Sequence, residues 1–141
     1  MNELPAAFAW LALTAAASAF SAAAPDPYQR HVLKITEHAW QIYNNLRSMQ
    51  PPFEGNVVVF EQSAGLVVVN AGGSIPSDRN VVAAIRTLSR KPVRFVVYTH
   101  YHGDHNLGAG AFLRAWPGVV IVSSEATRAN MTGAPMVYIK T

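Results

Sequence analysis

The chain has 141 residues, half of them hydrophobic, and a formal net charge of +3. That length and apolar share suit one compact globular unit, and with no cysteine a cysteine-based structural zinc site and a lipoprotein anchor are both excluded. No basic patch is interleaved with aromatic residues, which argues against a nucleic-acid surface.

The first segment, residues 1–23, reads as an export leader. Leu4 to Leu13 is apolar throughout, and the run continues through Ala15, Ala16 and Ala17 to Phe20. Ser21 and Ala23 then satisfy the small-x-small rule for a cut before Ala24. Glu3 stands where a lysine or arginine usually opens such a leader. A single membrane anchor is the competing reading, disfavoured because alanine is a weak membrane residue and the apolar core is short. Export to a periplasm or the medium is therefore expected, with residues 24–141 as the functional domain and no stable membrane association after the leader is removed.

Downstream, Val32 to Tyr43 shows mixed alternation and reads as the first strand, with a helix as the alternative. Asn56 to Glu61 and Leu66 to Val69 are β-branched runs, read as strands joined by a tight hairpin at Gln62-Ser63-Ala64-Gly65. Asp78 to Arg90 has the period of an amphipathic helix, with Val81, Ala84, Ile85 and Leu88 as its buried stripe. Ser77 is positioned to cap its start, and Pro92 lies just past its end. The basic residues Arg79, Arg86, Arg90, Lys91 and Arg94 fall on or near this helix and read as a solvated face. Val93 to Tyr98 is a further buried strand. Asn106 to Ala115 looks like the start of a helix, weakened by two glycines. Val119 to Val122 is a strand after the turn at Pro117-Gly118, and Ser124 caps a short helix that Gly133 ends. Strands alternating with helices indicate α/β layers.

The six residues His100-Tyr101-His102-Gly103-Asp104-His105 carry the chemistry. Three of the five histidines and one of the three aspartates fall inside them. Imidazole and carboxylate are ligands for zinc and similar divalent ions. If the backbone stays extended here, residues two apart project to one side, so His100 and His102 would grip one ion. Gly103 permits a sharp turn, after which Asp104 and His105 would reach a second, adjacent position. Ligands at the carboxyl end of a strand, before a helix, lie where α/β sheets place their sites. His31 and His38 lack partner spacing and are read as ordinary surface histidines.

The stretch Thr99 to Gly108, THYHGDHNLG, resembles the H-x-H-x-D-H signature of the metallo-β-lactamase superfamily. The upstream run Gly65 to Gly72, GLVVVNAG, resembles that superfamily's strand ending in an Asp-x-Gly turn, with Asn70 in place of the usual aspartate. The similarity extends over about residues 32–131. It implies an α/β fold, the amino-terminal half of an αββα sandwich, with a metal pair at one edge. It implies that His100 and His102 bind a first metal and that Asp104 and His105 bind a second, with zinc as the expected ion and iron or manganese not excluded. Asp104 would also orient the attacking water, which makes it the catalytic candidate. Asn70 keeps an acceptor oxygen but loses the charge of a supporting aspartate.

The resemblance further implies that each metal takes more ligands from later in the chain. No histidine follows His105, and the one acidic residue after it is Glu125. The sequence is thus expected to be the amino-terminal part of a longer enzyme, as a fragment or a natural truncation. Two functional readings follow. The first is a metal-dependent hydrolase acting on a small molecule, whether lactam, thioester, lactone, phosphodiester or sulfate ester. The second is a catalytically incomplete remnant that binds only metal or a partner. A nucleic-acid-processing member of the superfamily is a third, set back by the leader.

Overall fold

In a computed structural model, which describes residue 26, residues 28–44 and residues 54–133, the chain forms one six-stranded sheet with helices against it. The proposed leader lies outside the described residues. The strands are β1 (His31–Thr36), β2 (Ala39–Tyr43), β3 (Val57–Gln62), β4 (Gly65–Val69), β5 (Val93–Val97) and β6 (Val120–Val122), and they lie side by side in chain order. β1 to β4 pair antiparallel, while β4, β5 and β6 run parallel. Parallel neighbours need a crossover. Helix α1 (Ile75–Leu88) supplies the first and α2 (Ala109–Ala115) the second, and α3 (Glu125–Gly133) follows β6.

The core lies between the sheet and α1 and α2. Ile42, Val57, Val59, Leu66 and Val68 from the sheet and Val81, Ile85 and Phe112 from the helices are fully buried. The opposite face of the sheet is apolar as well but open. Registered pairing lines up Phe60, Val67, Phe95 and Val120 across four strands. Phe60, Phe95 and Val120 are 40%, 42% and 51% exposed. Helices on one face and, among the described residues, an apolar layer left open on the other make one half of a layered α/β sandwich.

Most expected elements are present, with three corrections. Val32 to Tyr43 is a hairpin rather than one strand. Its alternation continues across the turn at Glu37-His38, so period alone cannot reveal the break. Thr36 makes the reversal: its hydroxyl accepts from the His38 amide at 3.2 Å, and the register shifts beside it.

Helix α1 begins three residues before the expected start. Its cap is Ser74, whose Oγ accepts from the Ser77 amide at 3.3 Å, and Pro76 occupies its first turn. Ser77 is instead wholly buried and bound to Arg30. In the stripe, Val81 and Ile85 are buried while Ala84 and Leu88 are half-buried; Val82, not expected there, is buried too.

Helix α2 starts at Ala109 rather than near Asn106, because residues 103–108 are used by a 3-10 turn and the loop behind it. The hairpin at Ser63-Ala64, β6, and α3 with Ser124 Oγ accepting from the Thr127 amide at 3.1 Å match expectation, whereas β5, expected to be buried, leaves Arg94 and Phe95 exposed.

Candidate metal centre

The motif begins where β5 runs out. The Tyr98 amide still reaches across to the Val122 carbonyl at 2.9 Å. The backbone then bends from Thr99 to Tyr101 and closes one 3-10 turn over Gly103–His105. The expectation of an extended motif is therefore corrected. His100 and His102 meet because the chain bends, not because a pleat aligns them, yet they do meet, with ring centroids 4.7 Å apart in an edge-on arrangement. His105 folds back to 4.3 Å from the His100 ring. The Asp104 carboxylate lies 3.1 Å from His105 Nε2.

His100 is oriented by a chain of hydrogen bonds that begins at Asn70. Asn70 stands at the end of β4 with φ +65°, a left-handed conformation that asparagine tolerates better than most residues. Its Oδ1 accepts from the Thr99 amide at 3.2 Å and from the Thr99 hydroxyl at 2.8 Å. A hydroxyl has one proton. Thr99 spends it on Asn70, so its contact with His100 Nδ1 at 2.9 Å must be one it accepts. His100 Nδ1 then carries the ring proton, and Nε2 keeps its lone pair for a metal. Asn70 thus uses the acceptor oxygen that it shares with the aspartate the resemblance implies at its position.

His102 and the turn behind it are held by Asn106. This residue is 4% exposed, and its amide nitrogen donates to the carbonyls of Tyr101 and His102, each at 2.8 Å. The His105 amide donates to the His102 carbonyl at 3.0 Å. Burial lowers the pKa of His105 from its ordinary value; Asp104 opposes the shift, and His100 and His102 add to it. A lowered value keeps the ring neutral, the form that ligates metal.

The donor set suits a divalent ion: three imidazoles and a carboxylate, all reachable from solvent, with one tautomer already set. Among the described residues no three such side chains converge on a common point. His100 lies beside both His102 and His105, and Asp104 lies against His105.

Sequence reasoning missed the buried charges beneath the motif. Arg30 and Glu54 form an ion pair at 3.0 Å, each side chain 1% exposed. Asp78 on α1 is wholly buried, with neither carboxyl oxygen hydrogen-bonded. Burial pushes its pKa up to about 8, against the pull of Arg30. Its carboxyl fills the space where Gly72 and Gly108 would otherwise carry a side chain. None of these residues has a spacing signature. His31 and His38 behave as read: the first stacks near Tyr43 at 5.6 Å and the second lies in the hairpin turn.

The chain was compared with known proteins. The family model of the metallo-β-lactamase superfamily matches residues 51–140. A linear primary-alkylsulfatase from Pseudomonas sp. (strain ATCC 19151) is 42% identical over 55 residues, which is 39% of this chain and 10% of that protein. Among solved structures, a metallo-β-lactamase from Hirschia baltica superposes with a TM-score of 0.60 at 22% identity, covering 73% of this chain and 47% of the other. The mono-zinc form of metallo-β-lactamase FIM-1 from Pseudomonas aeruginosa gives 0.57 at 20% identity, covering 73% and 45%. The chain thus spans about half the length of these structures and a tenth of the alkylsulfatase.

Proposed function

Because the chain belongs to the metallo-β-lactamase superfamily, we propose that it carries two ligand pairs of a zinc-dependent hydrolase. The observation that supports this is the gathering of His100, His102, Asp104 and His105 at the end of β5, with His100 presented through Nε2 by Thr99 and Asn70. His100 and His102 would hold one metal, and Asp104 and His105 the other. A bound divalent metal supplies Lewis acidity and lowers the pKa of a water from about 15.7 to near 7. Asp104, 39% exposed and open to solvent, would accept a hydrogen bond from water there. The FIM-1 neighbour, solved in a mono-zinc form, supports zinc as the ion.

The favoured substrate class is a sulfate ester, cleaved by water to an alcohol and sulfate, on the strength of the likeness to the alkylsulfatase. A second reading, in which the chain binds metal without turning over substrate, is favoured by the lack of any three converging donors among the described residues. An ordinary zinc site has three or four protein ligands, and here each position has two. Further donors, from another segment or a second copy, would complete it.

Two measurements test this. Calorimetric zinc binding to this chain should be measurable, weaker than in a complete site, and at least about tenfold weaker again in His102→Ala. Equal binding by the variant would overturn the ligand assignment. The natural polypeptide purified from its host, loaded with zinc, should release sulfate from a primary alkyl sulfate faster than it cleaves a β-lactam, a thioester or a phosphodiester. Preference for any of the other three would overturn the substrate class.

A further inference from the structure

We propose that Arg30, Glu54 and Gly55 form a splint that positions Asp104 and His105 independently of His100 and His102. The proposal rests on the metal-site reading above and deepens it.

The peptide at 54–55 is held at both ends. On one side the Arg30 guanidinium donates through Nη1 to the Gly55 carbonyl at 3.2 Å and through Nη2 to Glu54 Oε2 at 3.0 Å. Ser77 Oγ takes further bonds from Nε at 3.0 Å and Nη2 at 2.6 Å. The Glu54 carboxylate accepts from the Gly73 amide at 2.6 Å and the Ser74 hydroxyl at 2.8 Å. An ion pair this far from water persists only where its other polar atoms find partners, and here each guanidinium nitrogen and both carboxylate oxygens have one. The result is a stiff unit joining the segment before β1, the loop before β3 and the loop after β4.

On the other side this unit meets the metal motif. The Gly55 amide donates to the Asp104 carbonyl at 2.9 Å, and the Ala71 amide donates to the His105 carbonyl at 2.8 Å. Two successive carbonyls of the motif are therefore fixed from two loops that Glu54 ties together. Gly55 leaves no slack: a Cβ there would stand 2.6 Å from the Asp104 carbonyl oxygen and 3.0 Å from the His105 ring. His100 hangs on a different set of bonds, through Thr99 to Asn70, and His102 is steadied by Asn106. The two ligand pairs thus have different principal supports, linked to each other by the bond from the His105 amide to the His102 carbonyl at 3.0 Å.

The test follows the imidazole NMR signals of His100, His102 and His105 as zinc is added to wild type, Gly55→Ala and Arg30→Lys. Lysine carries three donors on one nitrogen and lacks the planar five-donor fork, so it cannot reproduce the four bonds that Arg30 makes to Ser77, Gly55 and Glu54 from three nitrogens. In both variants the His105 midpoint should rise tenfold or more, while His100 and His102 stay within about twofold. If Gly55→Ala does not fold, Ser77→Ala, which removes one acceptor from the guanidinium, takes its place with the same expectation. Ile85→Val serves as the control for a purely structural loss and should move no midpoint. Midpoints that rise together for all three histidines, or a His105 midpoint that does not move, would overturn the splint. A metal-free arm separates the two readings. Hydrogen exchange at the Gly55 and Ala71 amides should accelerate in Arg30→Lys and not in Ile85→Val. If no histidine signal of the wild type responds to zinc, the metal-site reading fails, and the exchange rates alone decide the splint.

Discussion

Thr99 is a small residue with a large consequence. It converts the acceptor oxygen of Asn70 into a chosen tautomer of His100 by spending its single proton. Thr99→Val keeps the shape and removes the relay, so zinc affinity should fall about 10- to 100-fold. Thr99→Ser should restore it, and competition with a chromogenic chelator measures both.

Asp78 offers a prediction in pH. Its carboxyl is wholly buried and unpaired, and burial raises its pKa from 3.8 to about 8. A group whose folded pKa exceeds its unfolded one contributes stability that is fully present below the unfolded value and is lost as pH rises through the folded value. From about pH 4 to 8 the wild type should therefore lose stability relative to Asp78→Asn at about 1.4 kcal/mol per pH unit. Urea unfolding of both proteins across that window checks the difference. A flat difference would mean that Asp78 is not buried as a neutral acid.

At the scale of elements, α1 does most to hold the sheet's covered face. Val81 and Ile85 are fully buried against the strands, whereas Leu88 is half-buried. Ile85→Ala should cost about 2–5 kcal/mol, as core truncations that leave a cavity do, and Leu88→Ala distinctly less. Denaturant midpoints rank them. The Lys91–Glu61 pair at 2.8 Å joins α1's trailing loop to β3, but the lysine is 41% exposed, and surface pairs of this kind contribute little.

For the whole molecule, the open face of the sheet matters most. The row Phe60, Phe95 and Val120 presents large apolar side chains to water, and a contiguous surface of this kind drives association. The chain should therefore self-associate with rising concentration. Phe95→Lys should raise the monomer fraction in sedimentation without lowering the denaturant midpoint by more than about 1 kcal/mol equivalent. Unchanged association would mean that this face is not the one involved. Among the described residues no helix is long and apolar enough to cross a membrane. For residues 1–23 the proposal remains an export leader, and amino-terminal sequencing of exported protein should find Ala24 first.

Local chemistry was legible from the sequence. Val57 to Val69, α1's stripe and the His100-to-His105 cluster each announce themselves within a few residues, because strand period, helix period and ligand spacing are short-range patterns. The acceptor oxygen of Asn70 was legible only through the resemblance of GLVVVNAG to the superfamily's Asp-x-Gly turn. Three things were decided by tertiary structure. The bend at Thr99–Tyr101, which brings three imidazoles together, depends on bonds from Asn70 and Asn106. The break between β1 and β2 depends on one threonine hydroxyl, which period cannot detect. The buried network of Arg30 with Glu54 and Ser77 joins residues 24 and 47 positions apart. No local pattern encodes such a contact: a buried charge is tolerated only where distant partners meet it, and that meeting exists only once the chain has folded.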